Sequence, residues 1–418
     1  MRRPALIFAL PLLPIFAATL EVACSSDDSG TTHGVVIGDD SGVTDGSLAH
    51  PGDGAVIDQD GSTDADGSAI LPDGGGTCTT GTLAIVGGGD TSSFAASATG
   101  NGVFTTSNFA TSAMAALPSV ISFGTGFQAV FHAAGSNQLL STGFTSSWSA
   151  PAIISGTLVR EMPVLAVEGS TLHLVYQAND DAGADEFKYF HGTYASSWTA
   201  GDPVGAGTGQ SSGPHAIGAA GLASELVTGQ VGGDKNIYAR SFTTAWQAAD
   251  FVDGGGTGSD DGTLGTAARV IAMTGGTSEA MIVYTRDVDY KLMSLARTGG
   301  IWAVPATLSN TNAFTTEPFQ LAPLPGGKAV VAWRGGDTHG YISIFDGTHW
   351  SAPFAVAPFA IASAPAVAAG NCGSEIIATY AKSAGTVETV RTDGVTLQTP
   401  AVVPGATNAK YVAIAVSP

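Results

Sequence analysis

The chain has 418 residues, among them 57 Gly and 20 Pro, with 44% hydrophobic and only 12% charged residues. Ordinary soluble domains carry about 25% charge and about 7% Gly, so this composition excludes coiled coils and helical solenoids, and its apolar content excludes disorder throughout. Fifteen basic against 35 acidic residues give a net charge of −20, which repels nucleic acid and anionic membrane surfaces, so neither is expected as a partner.

At the N-terminus, Arg2 and Arg3 precede an apolar stretch from Ala5 to Leu20 that is interrupted by Pro11 and Pro14. A charged start followed by an apolar run too short to span a bilayer reads as a signal peptide over 1–23. It ends in Val22-Ala23-Cys24-Ser25, which resembles the lipobox of bacterial lipoproteins. The resemblance implies that Cys24 is lipidated and becomes the mature N-terminus. Ser25 beside it implies an outer-membrane address, on the cell surface or the periplasmic face, with the membrane contacted through the lipid alone. Glu21 stands where that pattern has Leu. The other reading of these residues is an ordinary secretory signal with an unmodified Cys.

Residues 24–77 form the next segment. From Ser25 to Thr77 there are eleven Asp and twelve Gly, with no Lys, Arg, Glu or aromatic residue. Such a segment cannot bury enough apolar surface to offset the entropy of ordering, so it is expected to be a disordered tether with a reach of roughly 40 Å. Asp58, Asp60, Asp64, Asp66 and Asp73 alternate with Gly and loosely resemble calcium loops. Without flanking helices they read as plain solvated linker, and no metal or other cofactor is expected.

From residue 78 the sequence repeats. Short turns carry Trp148, Trp198, Trp246, Trp302 and Trp350 at spacings of 50, 48, 56 and 48 residues. Ending 17 to 22 residues before each Trp is a β-type run, which closes on Phe131, Tyr176, Thr228, Tyr284 and Trp333. A sixth run ends at Tyr380, with Leu397 at its Trp position; a seventh, Thr82–Val86, has Phe104 there. Ahead of each later run stands another apolar strand, such as Pro163–Val167 or Pro365–Ala368. The first run has none, but Tyr411–Val416 has the same character and would close a ring, which leaves no free strand edges.

Repeats of this length with Gly/Trp turns resemble β-propeller blades, and Ser343-Ile-Phe-Asp346-Gly347-Thr-His-Trp350 resembles the Asp box of sialidase-type propellers with its Asp one place late. The resemblance implies an all-β fold, a seven-bladed β-propeller over 78–418 closed by the C-terminal strand. Fold alone does not fix function.

Repeat position assigns each loop to a face. Connections between blades bring Arg160, Glu161, His215, Arg269 and Glu317 to one face. The turns after each run bring Asp180, Asp181, Asp234, Arg286, Asp287, Arg334, Asp337 and His339 to the same face. Forked guanidinium groups there suit carboxylate, phosphate or sugar hydroxyls. Arg160, Arg269, Arg286, Asp287, Arg334, Asp337 and His339 are therefore the candidate ligand-binding residues, although ion-paired turn chemistry explains the same pattern. Propeller lectins stack sugars on aromatic residues between blades with a recurrent Arg; Arg240 precedes Trp246, but no equivalent recurs, so Trp is read as filling inter-blade space.

The expectation is a surface-tethered propeller that binds a glycan or protein partner without chemistry. The alternative is a sialidase-like glycoside hydrolase or lyase, for which Arg160-Glu-Met-Pro163 gives only a partial match to that family's opening motif and no catalytic residue can be assigned. Cys78 and Cys372 each lie eight residues before the end of a run, so an exported chain is expected to pair them as a disulfide.

Overall fold

The computed structural model describes residues 81–417, apart from 101, 111, 137, 156–157, 160–161, 180–187, 200, 205–214, 221–222, 230–236, 243–244, 248–249, 253–263, 309–312, 314 and 372–374. The signal peptide, Cys24, the tether and Cys78 lie outside the described residues, as do Arg160, Glu161, Asp180, Asp181, Asp234 and Cys372.

All described regular structure is β. Alternating apolar residues punctuated by Gly turns produce antiparallel sheets that follow one another along the chain. The first sheet joins Tyr411–Ser417 to Thr82–Gly88, Ser93–Thr99 and Thr105–Phe109. The second runs through Ser119–Phe123, Gly126–Ala133, Gln138–Phe144 and Ala152–Ser155. The third holds Val164–Glu168, Thr171–Asn179, Lys188–Tyr194 and Asp202–Pro203, with Leu158–Val159 pairing on Thr171–Asn179. The fourth comprises His215–Ala220, Ala223–Gly229, Ile237–Phe242 and Asp250–Phe251. The fifth has Leu264–Ala272, Ala280–Arg286 and Leu292–Thr298, edged by Ile301–Trp302 and Ala306–Thr307. Gln320–Leu324, Lys328–Arg334, Gly340–Phe345 and Phe354–Ala357 make the sixth; Ala366–Ala369, Ile376–Ala381, Val387–Thr392 and Ala401–Val402 make the seventh.

The opening strand of each sheet neighbours that of the next, and the cycle closes from Tyr411–Ser417 back to Ser119–Phe123. The C-terminal strand completes the first sheet in antiparallel register, with Thr82 opposite Ser417, Ile85 opposite Ile414 and Gly88 opposite Tyr411. Without it Thr82–Gly88 would present a row of unpaired backbone groups.

The core is divided among the interfaces between sheets. Val86 and Ala415 of the first sheet pack with Phe127, Phe131 and Trp148 of the second. Val330 and Ile342 of the sixth pack with Ile376, Tyr380 and Val390 of the seventh, and Ile377 and Val387 of the seventh return to Ile85 and Ile414 of the first. The run-ending aromatics Phe131, Tyr176, Tyr284, Trp333 and Tyr380 are among the largest fully buried side chains. Two hairpin tips touch backbone to backbone: a Cβ on Gly327 would stand 2.6 Å from the Gly276 Cα, so glycine is required there.

One register expectation is corrected. Arg269 was expected in a connection between blades, at the rim. Leu264–Ala272 is instead nine residues long, with an irregularity in its pairing between Leu264 and Ala268, so the strand starts early and Arg269 falls in its interior.

Candidate functional site

Four of the Trp turns share a geometry that the sequence reading only half saw. Each Trp bridges back to an aromatic residue four or five places earlier: Phe144 to Trp148, Tyr194 to Trp198, Phe242 to Trp246 and Phe345 to Trp350. The ring centroids are 5.3, 5.1, 5.1 and 5.4 Å apart and tilted by 45–56°. Each pair leans on the preceding sheet, as the inter-blade role of Trp requires. The recurrence of Phe or Tyr ahead of Trp was the signal that could have found the motif. Trp302 differs, lying on the fifth sheet's edge with the Arg297 guanidinium 5.9 Å from its ring.

Beside two of these turns the interface stays open. Between the first and second sheets a cleft of about 520 Å³ is walled by Thr82, Ser97, Thr99, Thr105 and Ser107 on one side and Thr145–Trp148 on the other. Between the second and third sheets a cleft of about 440 Å³ is walled by Gln128, Ser141, Thr142 and Ser149 facing Tyr194 and Trp198, and Thr145 and Ser147 border both. Neither wall carries a charged side chain. Gln128 Nε2 donates to the Tyr194 hydroxyl at 3.5 Å, Thr142 Oγ1 donates to the Ser149 carbonyl at 2.7 Å, and Ser149 Oγ accepts from the Gly143 N–H at 3.1 Å. Trp148 is buried at 8% exposure, whereas Trp198 and Tyr194 remain half-buried at the edge of their cleft.

The rim arginines are occupied by their own surroundings. Arg286 grips Asp289 with two bonds, from Nε at 2.9 Å and Nη2 at 2.7 Å, and Lys291 Nζ adds a contact at 3.0 Å. These donors hold the Asp289 carboxyl well below the usual carboxylate range. Asp287 belongs to the same turn. Arg334 donates from Nε to the Ile361 carbonyl at 2.9 Å and pairs with Glu317 through Nη1. Asp337 accepts from the Tyr341 hydroxyl at 2.5 Å and the His339 N–H at 3.1 Å, with His339 Nδ1 at 3.3 Å. That bond pushes the Tyr341 hydroxyl up to about 12. The structure thus places Arg286 and Arg334 at the ends of their strands and Asp287, Asp337 and His339 in the segments that follow, and Arg286, Arg334 and Asp337 are engaged by local partners.

Arg269 lies apart from them. It is 7% exposed and lines the central channel, a space of about 460 Å³ bounded by the opening strands. Its Nη1 donates to its neighbour's carbonyl, Ala268 O, at 2.7 Å and Nη2 to Met162 Sδ at 3.0 Å, with the Phe319 ring 5.8 Å from Cζ. No Tyr, Asp or Glu is among the described residues that line this channel. Glu317, Lys410 and Tyr411 line a neighbouring pocket of about 420 Å³ that shares Met162 with the channel. The described residues hold no group of three or more His, Cys, Asp or Glu able to bind a metal.

The turn at Asp346 works as a staple. Asp346 Oδ1 accepts from the Thr348 N–H, the Thr348 hydroxyl and the His349 N–H, each at 2.8 Å, which pulls its pKa down to about 2. Asp393-Gly394 repeats the device one sheet later, where Asp393 Oδ1 accepts from Val395 N at 2.8 Å and Thr396 N at 2.7 Å. Both are side-chain turns of the kind Asp favours.

No family model and no curated protein matches the chain. Solved structures do. A lectin from Burkholderia pseudomallei superposes with a TM-score of 0.59 at 14% identity, over 78% of this chain and 96% of that one. The Aleuria aurantia lectin, described as a six-bladed β-propeller with a novel fucose recognition mode, gives 0.47 at 17% identity over 70% and 96%. A protein from Arthrobotrys oligospora gives 0.46 at 10% identity over 73% and 91%. The likeness is one of fold: a β-propeller of the lectin type. The Aleuria aurantia lectin is stated to have six blades, against the seven-bladed class expected from the repeat, whereas the described strands of this chain form the seven sheets enumerated above. For this chain the hydrogen bonding is the direct observation, and blade number is not carried over from so distant a neighbour.

Proposed function

We propose that this protein binds carbohydrate without converting it, in the clefts between its first three sheets. The observation that carries this reading is the cleft edged by Tyr194 and Trp198: uncharged, lined by Gln128, Ser141, Thr142 and Ser149, and bordered by half-buried aromatic rings. A sugar has the matching inventory, with a C–H face that packs on an aromatic ring and hydroxyls that both donate and accept. A wall without charge favours neutral sugars over acidic ones. The lectin fold shared with the Burkholderia pseudomallei protein supports the same reading.

The test is a glycan array probed with the purified protein, followed by calorimetric titration of the best ligand. Binding of neutral glycans is expected, and Trp198→Ala should weaken it about tenfold, or about 1.4 kcal/mol. An array without signal, or a ligand preference confined to sialylated or sulfated glycans, would refute the reading.

We further propose that the binding domain is exported and held at the outer membrane through lipid on Cys24, with 24–77 as its tether, and that Cys78 pairs with Cys372. Gly81, three residues after Cys78, lies against Asn371, the neighbour of Cys372: a Cβ on Gly81 would stand 1.8 Å from Asn371 Nδ2. A bond would close a loop of 293 intervening residues, for which chain entropy sets an upper bound of roughly 5–6 kcal/mol. Thiol labelling of the unfolded, unreduced protein lacking Cys24 is expected to find no free thiol, and two after reduction; two before reduction would exclude the bond.

A further inference from the structure

The interface between the third and fourth sheets holds two histidines that the ligand reading leaves unused. His173 and His191 are 3% and 7% exposed, with nearly parallel rings 5.1 Å apart. His173 Nδ1 lies 2.8 Å from His191 Nε2. At that distance one nitrogen donates and the other accepts, so a single proton sits between the rings. The fourth sheet covers them: the Phe242 ring is 5.3 Å from His173 and 4.8 Å from His191, and Trp246 meets His191 edge-on at 5.2 Å.

We infer that this pair is a proton-sensitive lock, holding the third and fourth sheets together while one proton is shared and loosening them when a second is bound. A second proton would set donor against donor across 2.8 Å and place charge where water is excluded. Titratable and charged groups on the strands that meet at this interface include Glu168, Arg240, Tyr189, Tyr238 and His215. Glu168 Oε2, 3.3 Å from His173 Nε2, favours the added charge. Arg240, two residues from Phe242 and so on the same face of Ile237–Phe242, opposes it. Tyr189 lies two residues from His191 on its strand, on the same face. Burial prevails over Glu168 and lowers the pKa of His173 from 6.5. The unfolded chain accepts the proton at the ordinary histidine value. The lock's contribution is therefore intact above about pH 6.5 and falls as the pH drops below it, until the folded pair itself is protonated.

The repeat supplies the control. Gln128 and Ser141 of the second sheet occupy the positions of His173 and His191, since Gln128 and His173 each lie three residues before a run end, and Ser141 and His191 lie opposite Val130 and Val175. The double substitution His173→Gln with His191→Ser therefore installs a pair that this fold already accommodates. Melting temperature is read from pH 7.5 to pH 5 for the parent and the variant. The parent should lose several degrees more than the variant over that range; equal losses would overturn the inference. For the case of a variant too unstable to compare, the imidazole resonances of the parent are titrated as well. Titration of the pair in separate steps, the second clearly below the ordinary histidine value, supports the lock; two independent imidazoles at about 6.5 refute it.

Discussion

The second–third and third–fourth interfaces are built on one frame and filled in opposite ways. In the first, Gln128 and Ser141 face Tyr194 and Trp198 across an open, hydroxyl-lined cleft. In the second, His173 and His191 take the same two strand positions and meet Phe242 and Trp246 in direct ring contact. A third variant stands at the fifth–sixth interface, where Ser294 occupies the position of Ser141 and accepts the Trp350 indole N–H at 2.9 Å. The aromatic turn is the constant, and two side chains on the preceding sheet decide whether it forms a wall, a seal or a hydrogen-bonded wedge. Binding capacity in a repeat fold is thus set interface by interface.

The most damaging way to break the comparison is to remove the frame. Deleting 409–418 takes away Tyr411–Ser417, which pairs with the whole of Thr82–Gly88 and packs against the seventh sheet. Thr82–Gly88 is left with a bare edge, the seventh sheet loses its packing partner, and the ring loses the closure that holds it. The expected outcome is loss of cooperative unfolding and aggregation on expression, checked by calorimetry and gel filtration. A truncated protein as soluble and as stable as the parent would show that closure is dispensable.

Next in size is the contrast between two aromatic turns. Trp148 is buried among Phe127, Phe131 and Ala415, so Trp148→Ala should cost about 3–5 kcal/mol in denaturant unfolding. Trp198 is only half-buried, and Trp198→Ala should cost about 2 kcal/mol while removing the ligand platform. If both cost the same and neither affects sugar binding, the division into seal and wall fails. Ser294→Ala probes the wedge: the indole N–H of Trp350 loses its acceptor, at about 1 kcal/mol.

Much of this was legible in the sequence. The runs ending in Phe131, Tyr176, Tyr284, Trp333 and Tyr380 marked buried strands because a large aromatic at a fixed repeat position has nowhere to go but the core. Tyr411–Val416 advertised itself as the partner of a run that lacked one. What failed were readings that depend on register by a single residue. Arg269 reads in sequence as the start of a strand at the rim, but a pairing irregularity before Ala268 places it in the channel. The clefts were invisible because they are made of Ser, Thr and Gln, residues common on any surface, and only juxtaposition across two sheets turns Ser141 and Trp198 into one site.

The smallest expected effect concerns the rim, and it separates a turn-stabilising arginine from a ligand-binding one. Arg286 and Asp289 are three residues apart in one turn, and side-chain exposures of 16% and 29% leave their pair partly screened by water. Arg286→Gln should therefore cost at most about 1 kcal/mol at pH 7 and leave neutral-sugar binding unchanged. The pH dependence identifies the partner. Arg286 and the other donors depress the folded-state pKa of Asp289, so its contribution is present above the ordinary carboxylate value and is lost as the pH falls below it. Parent and variant should differ in stability at pH 7 and converge below about pH 4, where the unfolded chain begins to take up protons. Convergence with sugar binding intact assigns Arg286 to the turn. A variant that melts like the parent at pH 7 but no longer binds glycan would restore the rim as the recognition face and move the site away from the Trp198 cleft.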